Sequence, residues 1–155
     1  MSEKMKICFA ASSGGHYEQL MMLKPLMDEN DSFVVTEQTQ YSAKSKTIKT
    51  YYMKQVNRRE ISFIWRMLVN TWRGIKICLR EKPDIIICTG VLAMIPLCLI
   101  GKLRGAKLIY IESFAKITSP TETGKLLYHF ADRFYVQWKS MLKFYPKAIY
   151  KGGIY

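Results

Sequence analysis

The stretch Asp84–Gly90, DIIICTG, contains three consecutive isoleucines and ends at a glycine. A short apolar run of this kind, rich in β-branched residues, is typical of a central strand buried on both faces of a parallel sheet. The segments on either side alternate between strand-like and helix-like patterns, which calls for helices on both faces of that sheet. The sequence therefore predicts an α/β fold with a Rossmann-like parallel sheet.

The alternation runs through the whole chain. The predicted strands are Lys6–Ala11, Ser32–Thr36, Thr50–Met53, Asp84–Thr89, Lys107–Glu112, Arg133–Gln137 and Ala148–Tyr150. The predicted helices are one carrying Leu20, Leu23 and Met27, then Ile61–Arg80, Met94–Leu103, Thr121–Ala131 and a helical turn at Ser140–Phe144. Glu37–Lys49 is polar and predicts a loop. With 155 residues and no repeat or linker, the chain is expected to form one domain, residues 1–155.

Composition narrows the class of protein. Hydrophobic residues make up 49% of the chain and charged residues 23%, values that argue against disorder. The formal charge of +12 favours an anionic partner, either nucleic acid, acidic lipid headgroups or a phosphorylated substrate. Cys8, Cys78, Cys88 and Cys98 lie far apart in apolar runs, so we expect reduced core cysteines of a cytosolic protein and no metal site.

The sequence predicts neither a signal peptide nor a membrane-spanning segment. Met1–Lys6 is charged and leads straight into a strand, so no signal peptide is expected. The longest apolar stretch, Gly90–Gly101, is shorter than the ~20 residues that span a bilayer. Any membrane contact is therefore predicted to be peripheral.

A glycine turn, Ser12–His16 (SSGGH), joins the first predicted strand to the first helix. Glycines allow close approach of a ligand, and the free amides of a helix N-terminus favour an anion such as a diphosphate. The turn lacks both the G-x-G-x-x-G fingerprint and a G-K-[ST] phosphate loop, so no nucleotide cofactor is expected. A tight turn with Ser13 as helix cap is an equally good interpretation.

Several polar residues map to the carboxyl edge of the predicted sheet, where parallel α/β proteins bind ligands. They are His16, Thr89, Gly90, Glu112 and Ser113. Glu112 ends a strand, and its carboxylate either acts as a general base or caps a neighbouring loop. The combination with His16 favours a catalytic pair.

The long helix Ile61–Arg80 shows two kinds of face. One apolar stripe is expected to pack on the sheet: Ile61, Ile64, Leu68, Trp72, Ile75 and Leu79. Arginines recur every seven residues on the other side and are accompanied by hydrophobic groups; this predicted membrane face holds Arg59, Phe63, Arg66, Met67, Arg73 and Ile77. The alternative is a solvated basic face. The next helix, Val91–Leu103, is apolar nearly all round and is expected to reach lipid or a partner in part.

Taken together, these features resemble a known family. The chain resembles the acceptor-side subunits of bipartite bacterial polysaccharide glycosyltransferases and the membrane-anchor subunit of the endoplasmic-reticulum N-acetylglucosaminyltransferase that extends dolichol-diphosphate oligosaccharides. It is more distantly similar to the N-terminal domain of the transferase that makes lipid II. The resemblance covers nearly the whole chain, through blocks at Ser12–His16, Pro83–Gly90, Tyr110–Phe114, Thr123–Tyr128, Ala131–Trp138 and Tyr145–Gly153.

The resemblance implies the N-terminal half of a GT-B fold, with the nucleotide-sugar site on a separate catalytic subunit. It implies that Ser13, Gly14, Gly15 and His16 contact the diphosphate of a lipid-linked acceptor and that Glu112 lies in the interdomain cleft. The family's tail docks on the partner, which here points to Ile154 and Tyr155. Unlike the eukaryotic anchor subunits, this sequence shows no N-terminal membrane helix, and the arginine helix is the expected substitute.

The expected function is therefore an acceptor-binding, peripheral subunit at the cytoplasmic face of the cell membrane. It would hold an undecaprenyl-diphosphate-linked saccharide and enable a UDP-sugar-binding partner, in capsular or exopolysaccharide assembly. A β-1,4-linked galactose or glucose-type sugar is the donor that family practice suggests. One rival is a self-sufficient Rossmann-type transferase, for which no nucleotide fingerprint is present. A second is a nucleic-acid-binding module, which only the net charge suggests.

Overall fold

The computed structural model of the chain describes residues 4–39 and 47–155. Its strands are β1 Lys6–Ala10, β2 Asp31–Glu37, β3 Lys49–Met53, β4 Ile85–Cys88, β5 Lys107–Ile111, β6 Arg133–Val136 and β7 Ile149–Tyr150. Its α-helices are α1 Gly15–Met21, α2 Lys24–Glu29, α3 Phe63–Glu81, α4 Ile95–Leu103 and α5 Glu122–Leu127. Two 3₁₀ helices span Leu92–Met94 and Lys139–Lys143. The loop predicted over Glu37–Lys49 falls mainly outside the described residues.

The strands form one parallel sheet in the order β3-β2-β1-β4-β5-β6-β7. β1 pairs with β4, where Ile7 lies opposite Ile85 and Ala10 lies opposite Cys88. The chain first winds outward through β2 and β3 and then in the other direction through β5, β6 and β7, so the winding reverses between β1 and β4. Such a switch point leaves a crevice at the carboxyl ends of the strands. The predicted parallel α/β sheet is confirmed.

Helices pack on both faces of the sheet. One face carries α3, α4 and α5 over a large core that includes Phe33, Leu108 and Tyr110. The other face carries α1 and α2, whose Leu20 and Met27 belong to a smaller core. The separate short helices replace the single predicted helix because Pro25 stands in the first turn of α2, where a proline is tolerated, and could not continue α1.

Helices α3 and α4 approach each other closely because glycines lie between them. A Cβ atom on Gly74 of α3 would come within 3.3 Å of the Leu97 Cα in α4, and one on Gly101 of α4 would lie 3.7 Å from the Cys78 sulfur in α3. The inner face of α3 is accordingly built mainly of small or polar residues. Its buried members are Asn70, Gly74, Ile77, Cys78 and Glu81.

The predicted orientation of this long helix is therefore wrong. The stripe expected to pack on the sheet points outward: Leu79 is 49% exposed, Trp72 59%, and Ile61 fully exposed. Ile77, predicted to face a membrane, is only 5% exposed and belongs to the core. Because α4 packs against small side chains, the bulky ones lie on the outer surface of α3.

Candidate functional site

The carboxyl ends of the central strands border an open cavity of about 960 Å³, called the cleft below. Its walls come from the turn after β1, the end of β2, the segment before α3, the segment after β4 and the loop before α5. Charged and hydroxyl groups line it, among them Ser12, Glu37, Arg58, Arg59, Lys116 and Thr121. The cleft lies where the switch point of a parallel sheet places ligands.

The glycine turn forms one edge of the cleft. Ser12 and Ser13 line the cavity, whereas Gly14 and Gly15 stand beside it and are exposed. Gly14 has φ 73° and is the residue that precedes α1, so Ser13 does not cap the helix with its side chain. A Cβ atom on Gly14 or Gly15 would meet no atom within 4 Å. The two glycines therefore leave open space above the turn, and their contact with a diphosphate stays a prediction.

His16 is held against the strand that leads into the cleft. Thr89 donates a hydrogen bond from its hydroxyl to the His16 carbonyl oxygen, at 3.0 Å. The imidazole packs on Gly90, where a Cβ atom would lie 3.1 Å from the ring. Gly90 has φ 120°, so this position needs glycine both for its backbone and for the ring beside it. These contacts bring His16, Thr89 and Gly90 together, but none of the three lines the cleft, so their predicted role in the site stays a prediction.

The environment of the His16 ring keeps it neutral at pH 7. Burial lowers the pKa of His16, and the backbone of Thr89 and the charge of Glu112 only partly oppose that effect. The buried Nδ1 has no hydrogen-bond partner among the described residues. The nitrogen packs against Gly90, and His16 does not line the cleft, so a role of this ring in proton transfer stays a prediction.

Glu112 occupies a different environment from the one predicted for a general base. The side chain is 1% exposed. Its carboxylate accepts hydrogen bonds from the Ser113 amide at 2.9 Å, the Thr121 hydroxyl at 2.9 Å, the Thr121 amide at 3.2 Å and the Tyr145 hydroxyl at 2.8 Å. A Cβ atom on Gly124 would overlap this carboxylate. Glu112 thus anchors the loop that forms one wall of the cleft, the capping alternative of the sequence interpretation.

Ser113 follows Glu112 and is also buried, with 6% of its surface exposed. Its amide is used by Glu112, and its carbonyl accepts a hydrogen bond from the Lys116 amide. Ser113 does not line the cleft. Its predicted contact with the acceptor therefore has no support in the geometry, whereas its backbone shapes the turn that presents Lys116.

Sequence reasoning missed five charged residues of the cleft, namely Glu37, Arg58, Glu60, Lys116 and Glu122. Glu37 ends β2 and is 5% exposed; burial raises its pKa, while the amides of Val56 and Ser13 oppose that change. Arg58 and Lys116 line the cavity from separate loops. Glu37 could have been found from the sequence, because it follows a predicted strand at the same edge of the sheet as Glu112. The two cations lie in segments without a regular pattern, so only the tertiary structure shows that they belong to the site.

The six residues predicted to form a membrane face do not share one face. Arg59 lines the cleft. Arg66 donates to the Gln55 carbonyl at 2.9 Å and pairs with Glu60, and Arg73 donates to the Tyr52 carbonyl at 2.9 Å. Phe63 and Met67 are half-buried, and Ile77 belongs to the core. The arginines mainly tie α3 to the segment before it.

The exposed apolar surface lies instead on the opposite side of α3. This apolar ridge consists of Ile61, Ile64, Trp65, Leu68, Trp72 and Leu79, each at least 49% exposed. Leu103 at the end of α4 is 87% exposed, whereas Leu97 and Cys98 in the same helix are fully buried. Lys76 lies over the Trp72 ring, at 5.1 Å from its centroid. Within residues 4–39 and 47–155, no helix is both long and apolar enough to cross a membrane.

The C-terminal tail, residues 151–155, lies beside the carboxyl end of β6. The Ile154 amide donates to the Gln137 side-chain oxygen at 3.1 Å, and the Tyr155 ring contacts Phe114 with centroids 5.0 Å apart. Tyr155 stays 59% exposed. Next to the tail, on the sheet face that α1 and α2 leave uncovered, is an apolar cavity of about 310 Å³ lined by Ile87, Ile109 and Ile154. The tail is thus ordered and presents apolar groups at one edge of the domain.

Comparison with known proteins identifies the family of this chain. The family description "Oligosaccharide biosynthesis protein Alg14 like" matches residues 7–154. The chain belongs to the Alg14-like family. Among its relatives, the UDP-N-acetylglucosamine transferase subunit ALG14 of Homo sapiens is 28% identical over 181 residues, covering 98% of this chain and 84% of the human protein. The subunit of Schizosaccharomyces pombe is 28% identical over 165 residues, covering 90% and 79%.

Two solved structures have folds similar to that of this Alg14-like chain. MurG from Acinetobacter baumannii superposes with a TM-score of 0.68 at 19% identity, over 86% of this chain and 41% of MurG. The UDP-N-acetylglucosamine 2-epimerase from Rickettsia bellii reaches 0.75 at 11% identity, over 98% and 46%. The chain spans less than half the length of each. The predicted equivalence to the Rossmann-like half of a GT-B glycosyltransferase is confirmed.

Within the described residues, no group of three or more histidine, cysteine, aspartate or glutamate side chains is arranged to hold a metal ion. The four cysteines are free thiols and all are buried. Burial raises the pKa of Cys8, and a hydrogen bond with Cys88 together with burial raises the pKa of Cys98, as in inert core residues.

Proposed function

We propose that this Alg14-like chain is the acceptor-binding, membrane-associating subunit of a two-component glycosyltransferase. It holds a lipid-diphosphate-linked saccharide while a catalytic partner supplies a UDP-sugar. The observation that carries the proposal is the continuity of the cleft with the apolar ridge. Arg58 and Arg59 line the cleft, and the fully exposed Ile61 begins the ridge two residues later. The proposed ligand has an anionic head for the cleft and a long apolar tail for the ridge.

The cleft supplies groups that suit a diphosphate-linked sugar. Arg58 and Arg59 come from the segment before α3, and Lys116 comes from the loop after β5. Guanidinium groups bind phosphate oxygens in a forked geometry, and lysine adds a mobile point charge. Ser13 and Thr123 line the same cavity, and their hydroxyls are proposed to contact the saccharide. Ser13, Gly14, Gly15 and Thr89–Gly90 complete the proposed acceptor site at its edge.

His16 is the proposed base of this site. Inverting transfer requires that a proton leave the acceptor hydroxyl as its oxygen attacks the anomeric carbon and UDP departs. The His16 imidazole, whose pKa is lowered by burial, is proposed to take that proton from an acceptor bound at the edge of the cleft. Glu112 is proposed to act indirectly, by holding the Thr121 wall of the cleft in place.

The apolar ridge is the proposed membrane contact. Transfer of a large apolar side chain from water to an apolar medium contributes roughly 1.5–3 kcal/mol when burial is complete. Trp65 and Trp72 suit the interfacial layer of a bilayer. Lys76, Arg80 and Lys82 near the end of α3 are exposed and would meet anionic headgroups. We propose peripheral attachment at the cytoplasmic face of the cell membrane, with undecaprenyl-diphosphate-linked saccharide as acceptor in capsular or exopolysaccharide assembly.

The partner is proposed to dock at the C-terminal tail. Ile154 and Tyr155 present apolar surface beside the cavity lined by Ile87 and Ile109. The relatives named above are UDP-N-acetylglucosamine transferase subunits, which supports a UDP-sugar donor on the assembled enzyme. N-acetylglucosamine therefore stands beside galactose and glucose as a donor to be tested.

The test is sugar transfer from labelled UDP-sugars to lipid-linked acceptor in membranes. The preparations contain this chain alone, a candidate catalytic glycosyltransferase subunit alone, or both together. We expect transfer only with both. Transfer by this chain alone, or saturable UDP-sugar binding by it, would instead identify a complete Rossmann-type enzyme.

Two variants connect the assay to the cleft. Joint replacement Arg58→Ala and Arg59→Ala is expected to raise the apparent KM for lipid-linked acceptor about tenfold or more, because two phosphate contacts are lost. Arg133→Ala removes an exposed arginine at the opposite end of the sheet and serves as the control. Equal effects of the two replacements would show that only the overall charge matters.

A further inference from the structure

A buried glutamine joins the C-terminal tail to the helix that carries His16. Gln137 follows β6 and is 4% exposed. Its side-chain nitrogen donates to the Gln19 side-chain oxygen at 3.2 Å and to the Glu112 carbonyl at 2.9 Å. Its side-chain oxygen accepts the Ile154 amide at 3.1 Å. Both ends of one planar amide are therefore engaged, one by the tail and the other by the body of the domain.

Gln19 extends this connection to the candidate site. It lies in α1, three residues after His16, and is 5% exposed. Its side-chain oxygen also accepts the Phe114 amide at 3.4 Å. Phe114 in turn contacts the Tyr155 ring of the tail. Two sets of contacts thus run from the tail to Gln19, and Thr89 fixes the other end of α1 at the His16 carbonyl.

Buried amides of this kind have little freedom to move independently. A buried polar group that loses its partner costs about 1–3 kcal/mol, so a displaced tail forces the Gln137 amide to seek a new orientation. When the Gln137 amide reorients, the Gln19 side-chain oxygen loses the hydrogen bond that it accepts from the Gln137 side-chain nitrogen. The alternative interpretation is that Gln137 only satisfies the backbone of the tail, in which case its contact with Gln19 would have no consequence for α1.

We propose that Gln137 is a positioning residue that couples the C-terminal tail, and the catalytic partner bound there, to α1 and His16. The proposal rests on the proposed function for the roles of the tail and of His16. Docking of the partner holds the Ile154 amide in place, which holds the Gln137 amide and through it Gln19. Partner docking would then stabilise, through these contacts, the position of His16 that the isolated chain already shows.

The coupling is measurable in the isolated chain, without sugar or partner. NMR titration of the His16 imidazole is compared between the wild-type chain, a chain lacking Ile154 and Tyr155, and a chain lacking Tyr155 only. We expect loss of both residues to move the His16 pKa by about 0.3 pH units or more and to shift the α1 amide signals. Removal of Tyr155 alone keeps the Ile154 amide and is expected to have the smaller effect.

The decisive comparison repeats the truncation in the Gln137→Met background. Methionine has a similar length but no amide, so truncation there is expected to leave His16 unchanged. Gln19→Met removes the hydrogen bond between Gln137 and Gln19 at its acceptor, and it replaces Gln137→Met in the experiment if that variant does not fold. An unchanged His16 after truncation of the wild-type chain, or equal changes in both backgrounds, would overturn the proposal. This measurement needs no transfer activity, so a failed coupling would leave the proposed function untouched. Conversely, if the assembled pair transfers no sugar while truncation still changes His16, only the proposed function is contradicted.

Discussion

His16 is the residue whose chemistry is most directly open to test. His16→Gln keeps a polar side chain but removes the basic nitrogen, so transfer by the assembled pair is expected to fall about 10²-fold or more while partner binding is unchanged. Because burial lowers the pKa of His16, the wild-type rate should rise with pH below 6.5 and then level off. Rates measured from pH 5 to pH 8 check this, and a pH-independent wild-type rate would contradict it.

Glu112 should behave as an anchor and not as a base. Glu112→Ala leaves the Thr121 and Tyr145 hydroxyls without their buried acceptor, so the free energy of unfolding is expected to fall by about 3 kcal/mol or more. Denaturant unfolding measures this loss. In Glu112→Gln, stability and transfer should fall together. Loss of transfer in a Gln variant of wild-type stability would restore the general-base assignment.

At the scale of single elements, α3 carries the membrane prediction. Leu68→Ser with Trp72→Ser removes two exposed apolar groups of the ridge, and binding to anionic vesicles is expected to weaken about tenfold or more. Phe130→Ser is the matched control, since Phe130 is 41% exposed on a segment outside the ridge. Co-sedimentation with vesicles measures both. Equal loss in the control would show that general surface hydrophobicity, and not the ridge, determines binding.

The end of α3 also holds a charge network that predicts acid sensitivity. Glu81 is 4% exposed, lies 2.9 Å from the Lys6 ammonium, and also bonds Lys49 and Tyr51. Burial alone would raise the pKa of Glu81, but these partners outweigh it and lower it to about 2. The stabilisation is present above the unfolded-state value and is lost as pH falls toward 2.

The expected loss is about 2–3 kcal/mol in the free energy of unfolding between pH 5 and pH 2. Urea unfolding of the wild type and of Glu81→Gln measures it, and the variant should lack most of this pH dependence. Asp28→Asn, which removes an exposed partner of Lys24, is the control and should retain it. A variant as acid-sensitive as the wild type would assign the effect to other carboxylates.

At the scale of the whole molecule, the tail is expected to contribute little to folding and much to assembly with the partner. Removal of Ile154 and Tyr155 ends one buried hydrogen bond and one ring contact, so the isolated domain should lose only about 1 kcal/mol of stability. The complex with the catalytic partner is nevertheless expected to dissociate. Co-purification and thermal unfolding measure the two effects, and an intact complex after the deletion would contradict tail docking.

The sequence alone determined the architecture and the edge at which the site lies. Strands that are buried on both faces of a parallel sheet are apolar whichever helices cover them. Asp84–Gly90 and the neighbouring strand-like segments therefore identified the sheet. Residues that follow strands at one edge must then lie near one another, and Thr89 and Gly90 do contact His16. These conclusions depend on local pattern and on a topological rule, and neither requires knowledge of how individual side chains pack.

Only the tertiary structure decided which way the side chains of α3 and Glu112 face. Hydrophobicity marked the bulky stripe of α3 as its inner side, yet Gly74 and Cys78 face inward because α4 packs too closely for larger groups. Glu112 was assigned by its position at a strand end, but Thr121 and Tyr145, distant in sequence, surround its carboxylate. Close packing and long-range hydrogen bonds join residues far apart in the chain, so no local pattern records them.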